Sequence, residues 1–447
     1  MRRTHVLGKS ILVGGVVAAG LAMSQTAFAA EYVVNTTADT VDAAPGNGVC
    51  ADASGRCSLR AAIQEANASG GTDTVTLGGL TYTLTITGPN EDMAATGDLD
   101  VTSTIRILGE FSTVNANGID RAFHVAPGGN LTVDRLTITG GVAPGPNNPQ
   151  GGGSGGGILN AGTLEVNRST LRNNTAPRAG GGIEASQGSS TVVDRSTLAN
   201  NSTGPTPGNG GGLHLTNAGT VVFSRSTASG NTASAEGGGL WNAGGGTMTI
   251  DRSTITGNTA SGNAPITDPG GIQGGGGLFQ EAPIAGLPAG SLSVSRSEIR
   301  NNVANGAQNG SGGGVLNDRG TVRISRDTVI ADNSAVRAGG GVEASTGFTR
   351  VDDSTLQGNR TGSNPGNGGG LHLSGPGRVE IDDSVVTGNS ATNEGGGLWN
   401  SSTGTMLVSD TRVTGNTAPI GPNVFNQPPG GTFILNGQPV PPGQNSI

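Results

Sequence analysis

The chain has 447 residues and a formal net charge of −8, and 83 of its residues are glycine. Charged residues make up 13% and aromatic residues 3%, whereas about 25% of residues are charged in an ordinary globular domain. The negative charge argues against a nucleic-acid partner, because such binding depends on neutralising phosphates.

The first 29 residues have the pattern of a secretory signal peptide. Arg2, Arg3 and Lys9 form a basic head, an apolar run extends from Ile11 to Met23, and an Ala-x-Ala cleavage pattern ends at Ala29. The alternative, a membrane anchor, would need a longer apolar run. We therefore predict a protein that is secreted or held on the outer surface of a bacterial cell, with no membrane span in the mature chain.

Residues 30–72 are expected to form an N-terminal cap. Cys50 and Cys57 are seven residues apart in a secreted chain, which favours a local disulfide over two free thiols. Ser58 is a good N-cap residue for a short helix. The helix would present one apolar face, made of Leu59, Ala62, Ile63 and Ala66.

Repeats organise residues 73–426. A Gly-Gly-Gly-apolar segment recurs at intervals of 25 to 38 residues, and short stretches rich in β-branched residues lie between the copies. Strands this short can be buried only by stacking on copies of themselves. The pattern predicts a parallel β-helix, right-handed as parallel crossovers generally are.

The repeat contains a longer duplication. The segment at about 156–280 matches the segment at about 313–426, and EGGGLWN accordingly begins at Glu236 and again at Glu394. A Pro- and Gly-rich tail, residues 427–447, would close the last turn.

One asparagine position recurs along the repeat. Asparagine tolerates the left-handed conformation of a tight turn, and stacked amides can also hydrogen-bond along a ladder. The position is occupied by Asn174, Asn201, Asn231, Asn258, Asn302, Asn359, Asn389 and Asn416.

The segment CSLRAAIQEAN, from Cys57 to Asn67, resembles the CSLREA motif of secreted bacterial right-handed β-helix repeat proteins. The glycine repeats also resemble those of polymorphic outer membrane proteins. This chain has Ala61 where the motif has Glu, which removes a capping-box partner. The resemblance implies a fold and an extracellular location, and it implies no catalytic residue.

A second recurring position follows each Gly-Gly-Gly-apolar segment, and we expect its side chains to point outward. It includes Glu184, His214, Trp241, Glu343, His372 and Trp399. Exposed Trp beside polar groups would bind a sugar ring or a protein partner, and the alternative is a purely structural role. The equivalent Glu and His residues of the two copies are five turns, or roughly 24 Å, apart, too far to act on one bond.

A column of Arg, from Arg135 to Arg326, precedes the Ser-Thr turns and changes to Asp in the second half. These charged side chains would either keep the turn corner in contact with solvent or bind a polyanion. Four aspartates on two adjacent turns could share a Ca²⁺ ion, and no other cofactor is expected. They are Asp352, Asp353, Asp382 and Asp383.

No catalytic motif emerges, and no catalytic residue is proposed. The sequence favours a non-enzymatic protein that presents one face of the solenoid to an extracellular polysaccharide or a cell-surface protein. The alternative is a polysaccharide lyase or glycoside hydrolase that acts on acidic glycans, with its site in the longer loops at Asn263–Gln273 or Ala282–Gly290.

Overall fold

The computed structural model describes residues 29–89, 91–145, 152–262, 272–307 and 309–443. Residues 1–28 of the predicted signal peptide and most of the insert at 263–273 lie outside these ranges. The described chain forms a parallel β-solenoid with one helix, Leu59–Ala68, which confirms the predicted parallel β-helix. Within the described ranges, no helix is long and apolar enough to cross a membrane.

The solenoid has three sheets, named sheet I, sheet II and sheet III. Sheet I runs the full length and has two strands in most turns. Its strands are Glu31–Val33, Thr72–Thr76, Thr81–Thr83, Thr104–Asn115, Asn130–Thr139, Thr163–Asn167, Thr170–Arg172, Ser190–Asp194, Thr197–Ala199, Gly219–Ser224, Thr227–Ser229, Gly246–Asp251, Thr254–Thr256, Ser291–Ser295, Glu298–Arg300, Thr321–Ser325, Thr328–Ala331, Phe348–Asp352, Ser354–Gln357, Arg378–Asp382, Val385–Thr387, Thr405–Ser409, Arg412–Thr414, Thr432–Leu435 and Gln438–Pro439.

Sheet II has twelve described strands, one for each of twelve turns. They are Leu99–Val101, Phe123–Val125, Ile158–Asn160, Ile183–Ala185, Leu213–Leu215, Leu240–Asn242, Leu278–Gln280, Val315–Asn317, Val342–Ala344, Leu371–Leu373, Leu398–Asn400 and Val424–Asn426. Sheet III is made of seven two-residue strands among the described residues. They are Thr175–Ala176, Ser202–Thr203, Thr232–Ala233, Thr259–Ala260, Val303–Ala304, Ser334–Ala335 and Arg360–Thr361.

The core is a single stack of apolar side chains inside the coil. Alternation along each strand sends every second residue inward, as with Leu164 and Val166 of one turn, which lie in register with Thr191 and Val193 of the next. The glycine triplet packs backbone on backbone. Gly180 has a φ of 62°, and a Cβ on Gly181 would lie 2.5 Å from the Gly211 carbonyl oxygen.

An asparagine ladder runs beside the triplets, as expected. Asn201 Nδ2 donates to Asn231 Oδ1 at 3.0 Å, and the backbone N–H of Asn201 donates to the same oxygen. The ladder continues in this way from Asn174 to Asn416 and includes Asn333, which the sequence pattern missed. The left-handed residue is the one before each ladder asparagine, such as Asn200 with a φ of 54°, so the predicted turn role belongs to the neighbour.

A serine ladder, absent from our sequence predictions, runs along the bend between the two strands of sheet I. The backbone N–H of Ser196 donates to Ser226 Oγ at 3.0 Å, and that of Ser226 donates to Ser253 Oγ at 3.1 Å. Each hydroxyl thereby satisfies a backbone donor in the turn before it, as buried donors require. The recurring Arg-Ser pair is the signal that could have revealed this ladder.

The N-terminal cap matches its prediction. Cys50 and Cys57 form a disulfide, and Ser58 Oγ accepts the backbone N–H of Ala61 at 3.0 Å, which starts the helix. The predicted apolar face of the helix packs on the first turns. Ala61 is itself fully buried.

The polar residues of the motif fasten the helix to its surroundings. Arg60 is fully buried, and its Nε donates to Asp39 Oδ1 at 2.7 Å. Glu65 accepts the backbone N–H groups of Gly46 and Gly48. Asn67 Nδ2 donates to the Asp100 carbonyl of the first sheet II strand at 2.7 Å. The motif thus joins the cap to the solenoid through buried hydrogen bonds.

The tail ends the solenoid at the other end. Thr432–Leu435 extends sheet I in parallel with Thr405–Val408, and then Gln438–Pro439 turns back antiparallel to it. The chain therefore ends its described part in a short antiparallel hairpin instead of another parallel turn.

Candidate functional site

The outer column is the set of middle residues of the sheet II strands. Parallel pairing in register places each of them directly above the last. Their neighbours in each strand face the core, so alternation sends these side chains to the outer side of the sheet. The outer column comprises Asp100, His124, Leu159, Glu184, His214, Trp241, Phe279, Leu316, Glu343, His372, Trp399 and Phe425.

The outer column is buried, and the expectation that its Trp residues are exposed is wrong. Trp241 is 5% exposed and Trp399 is 4% exposed. Ile272, at the end of a long insert, packs against a second apolar cluster of Trp241, Phe279 and Leu316. The outer column is therefore covered, and Ile272 supplies part of the cover in the first copy. Neither Trp presents an open surface to a sugar ring.

Acidic and histidine side chains pair along the column. His214 Nδ1 lies 3.0 Å from Glu184 Oε2, and His372 Nδ1 lies 2.9 Å from Glu343 Oε2. His124 Nδ1 likewise lies 2.9 Å from Asp100 Oδ1 in the turn before it. Pairing across adjacent turns satisfies these groups under cover.

Each of the later two histidines is followed by stacked aromatic rings. The His214 and Trp241 rings are 4.2 Å apart, and the His372 and Trp399 rings are also 4.2 Å apart. Phe279 continues the first stack, with its ring centroid 5.7 Å from that of Trp241. Such stacking contributes about 0.5–1.5 kcal/mol beyond the area buried.

The repeated EGGGLWN segment has a structural explanation. Trp241 Nε1 donates to Glu236 Oε2 at 3.2 Å, and Trp399 Nε1 donates to Glu394 Oε2 at 2.9 Å. The three glycines bring the chain around the corner, so that the Glu at the start of the segment reaches the indole at its end. Desolvation raises the pKa of Glu236 to about 8.

The four Asp residues considered for calcium do not gather into one ligand group. Asp352 and Asp382 face each other in adjacent turns, and Arg350 Nη2 lies 3.2 Å from Asp352 Oδ1 and 3.6 Å from Asp382 Oδ2. Asp353 and Asp383 occupy left-handed positions with φ of 44°. Arg350 provides positive charge beside Asp352 and Asp382, and calcium binding stays a prediction.

The arginine column is balanced by acids. Asp194 lies 2.5 Å from Arg225 and 3.1 Å from Arg195, and Asp251 lies 2.5 Å from Arg296. Desolvation acts to raise the pKa of both aspartates, but hydrogen bonds from Ser224 and Ser295, together with the bonds and charge of the arginines, outweigh it and lower both pKa values. The pairs favour the interpretation that the column solvates the turn corner rather than binds a polyanion.

One described group has the composition of a metal site. Ligand atoms of Asp92, Asp100 and His124 lie within 4.8 Å of one another beside the N-terminal cap. Asp100 already accepts the backbone N–H of Ala94 and faces His124. The group could bind a divalent cation. Its existing hydrogen bonds also explain the arrangement without a cation.

No family model, no curated protein and no solved structure matches this chain.

Proposed function

We propose that this is a secreted or cell-surface protein without enzymatic activity, which binds an extracellular polysaccharide or a cell-surface protein along one face of the solenoid. The observation that carries the proposal is that the acidic, histidine and tryptophan side chains of the outer column contact one another. Glu184, His214 and Trp241 bond or stack on one another in sequence, and the same set recurs in the second copy. Groups that are buried and paired in this way stabilise sheet II, and this structural use favours the non-enzymatic proposal.

The proposed location is supported by the cap. The resemblance to the CSLREA motif, the disulfide and the basic, apolar N-terminal segment all agree with export of a bacterial protein. The proposed family membership rests on the motif residues, which the cap uses for buried contacts.

A second function, hydrolysis or lysis of an acidic glycan, is favoured by one observation. Glu281 directly precedes the loop Ala282–Gly290, and desolvation raises its pKa, as it does that of nearby Glu236. A carboxyl group whose pKa is raised by burial has one of the properties that a general acid requires.

Binding and turnover assays on the purified mature chain distinguish the two functions. We expect selective binding on an array of bacterial and plant glycans, with no new reducing ends and no unsaturated-uronate absorbance. Product formation that disappears in both Glu236→Gln and Glu281→Gln would overturn the non-enzymatic proposal in favour of the second function.

A further inference from the structure

A row of exposed charges, the corner column, runs along the bend between the two strands of sheet I. Each member has a positive φ, such as 46° at Arg195 and 44° at Asp353. The residues before the bend pair in register, so the members stack from turn to turn with about 4.8 Å between them. Eight successive members are Arg195, Arg225, Arg252, Arg296, Arg326, Asp353, Asp383 and Asp410.

The two copies of the duplication carry opposite charges at equivalent positions of the corner column. The bend itself does not require arginine, because Asp holds the same backbone conformation in the second copy and is the more favourable residue at positive φ. The equivalent residues are Arg195 and Asp353, Arg225 and Asp383, and Arg252 and Asp410.

The acids beside the first half of the column reduce its positive charge without cancelling it. Asp194 lies 2.5 Å from Arg225 and 3.1 Å from Arg195, so one carboxylate serves two guanidinium groups. Asp251 is shared between two arginines in the same way. The first half therefore keeps an excess of positive charge.

The second half keeps an excess of negative charge. Its three aspartates are exposed, and among the described residues no cationic side chain lies within ion-pair distance of them. Two further acids beside them, Asp352 and Asp382, share a single arginine, Arg350. The sign changes at one turn, which carries both Arg326 and Asp327 at positive φ.

We infer that two copies of this chain associate antiparallel along the corner column, about a two-fold axis between the turns of Arg296 and Arg326. When the order of the column is reversed, every arginine of the first copy falls opposite an aspartate of the second. The pairs are Arg195 with the partner's Asp410, Arg225 with the partner's Asp383, and Arg252 with the partner's Asp353.

The charge pattern favours this arrangement over two others. A two-fold dimer forms each of the three pairs twice, whereas a parallel, staggered contact forms each pair once and leaves a charged half unmatched at either end. A polyanion would be attracted to the first half of the column and repelled by the second. The edge as a whole is therefore complementary to a second copy of itself.

The dimer should be weak and sensitive to salt, because exposed ion pairs are individually weak and are screened by ions. Sedimentation equilibrium of the mature chain measures its dissociation constant. We expect this constant to rise at least roughly tenfold between about 0.02 M and about 0.5 M salt. A chain that stays monomeric at low salt, or that forms assemblies larger than a dimer, would overturn the inference.

Two charge-reversal variants test the pairing itself. The first carries Arg195→Asp, Arg225→Asp and Arg252→Asp, and the second carries Asp353→Arg, Asp383→Arg and Asp410→Arg. Each substitution introduces the residue that the other copy has at that position, so the bend is preserved. Either variant alone should be monomeric, since its two halves have the same sign. An equimolar mixture should dimerise, since every pair then joins opposite charges.

Arg56→Asp combined with Arg360→Asp is the control, because both arginines are exposed and lie outside the corner column. This control should dimerise as the wild type does. If a triple variant loses thermal stability, Arg225→Asp and Asp383→Arg apply the same test to the middle pair. Each should weaken the dimer, and mixing them should restore part of it.

Two further results would overturn the inference. They are a dimer formed by either charge-reversal variant alone, and a mixture of the two that stays monomeric. Neither result bears on the proposed function, which the glycan-binding assay tests separately.

Discussion

Glu236, the hydrogen-bond partner of Trp241 in the outer column, shows what desolvation does to a single side chain. Its carboxyl group is desolvated and accepts a hydrogen bond from Trp241, and its pKa rises from 4.5 to about 8. The acid is therefore protonated at neutral pH in the folded protein and ionised in the unfolded chain.

This shift predicts a pH dependence of stability. The contribution of Glu236 is fully present below pH 4.5 and is lost as the pH rises through about 8, because the unfolded chain binds fewer protons in that window. Glu236→Gln stays neutral and can still accept from Trp241. We expect the melting temperature to fall more steeply between pH 5 and pH 8.5 in the wild type than in this variant.

An equal fall in melting temperature in the two proteins would contradict the raised pKa of Glu236. Asp98, whose pKa burial raises to about 7, is present in both proteins and therefore cancels in the comparison.

Sequence patterns located the outer column correctly but not its environment. The spacing of the glycine triplets was sufficient to align Glu184, His214 and Trp241 on successive turns. It could not show that these residues are covered, since Ile272, which contributes to the cover, belongs to an insert that does not recur in the repeat. The pairing of His124 with Asp100 was missed because the first turns lack the glycine triplet.

The N-terminal helix is held by several buried polar contacts. The sequence motif predicted where the helix starts and which face is apolar, but it could not identify the partners of the polar residues, most of which lie outside the repeats. Arg60, for example, reaches Asp39 and the Gly97 carbonyl oxygen.

Arg60→Ala should weaken the attachment of the cap. Breaking a buried ion pair costs about 3–5 kcal/mol, because Asp39 keeps a buried charge without its partner. Denaturant unfolding measures the loss, and limited proteolysis should cut first within the cap. Arg56→Ala is the control, since that side chain is exposed, and we expect a change within about 0.5 kcal/mol. Equal effects of the two substitutions would refute this role for Arg60.

On the scale of the whole molecule, each turn contacts mainly its two neighbours, as in other repeat proteins. Loops absorb differences in turn length, since intervals of 25 and of 38 residues both preserve the register of sheet II. This is why the repeat alone predicted the fold.

Deletion of residues 226–252 removes one 27-residue turn and joins Arg225 to Ser253, which restores the Arg-Ser pair. The shortened chain should fold, with an unchanged circular dichroism shape and cooperative thermal unfolding, because the ladders close in register. Deletion of residues 226–238 removes 13 residues and places strand residues opposite loop residues, so this chain should be insoluble or unfolded. A soluble, cooperative product from the second deletion would contradict the stacking argument.

The asparagine ladder also gives the molecule an electrical polarity. A backbone N–H can only donate, so the oxygen that accepts from the preceding asparagine is fixed in place and each side-chain amide has one orientation. The nine amides described between Asn174 and Asn416 therefore point the same way, and their dipoles add along the axis, as peptide dipoles do in a helix. The two ends of the solenoid consequently differ in potential even where their formal charges are equal.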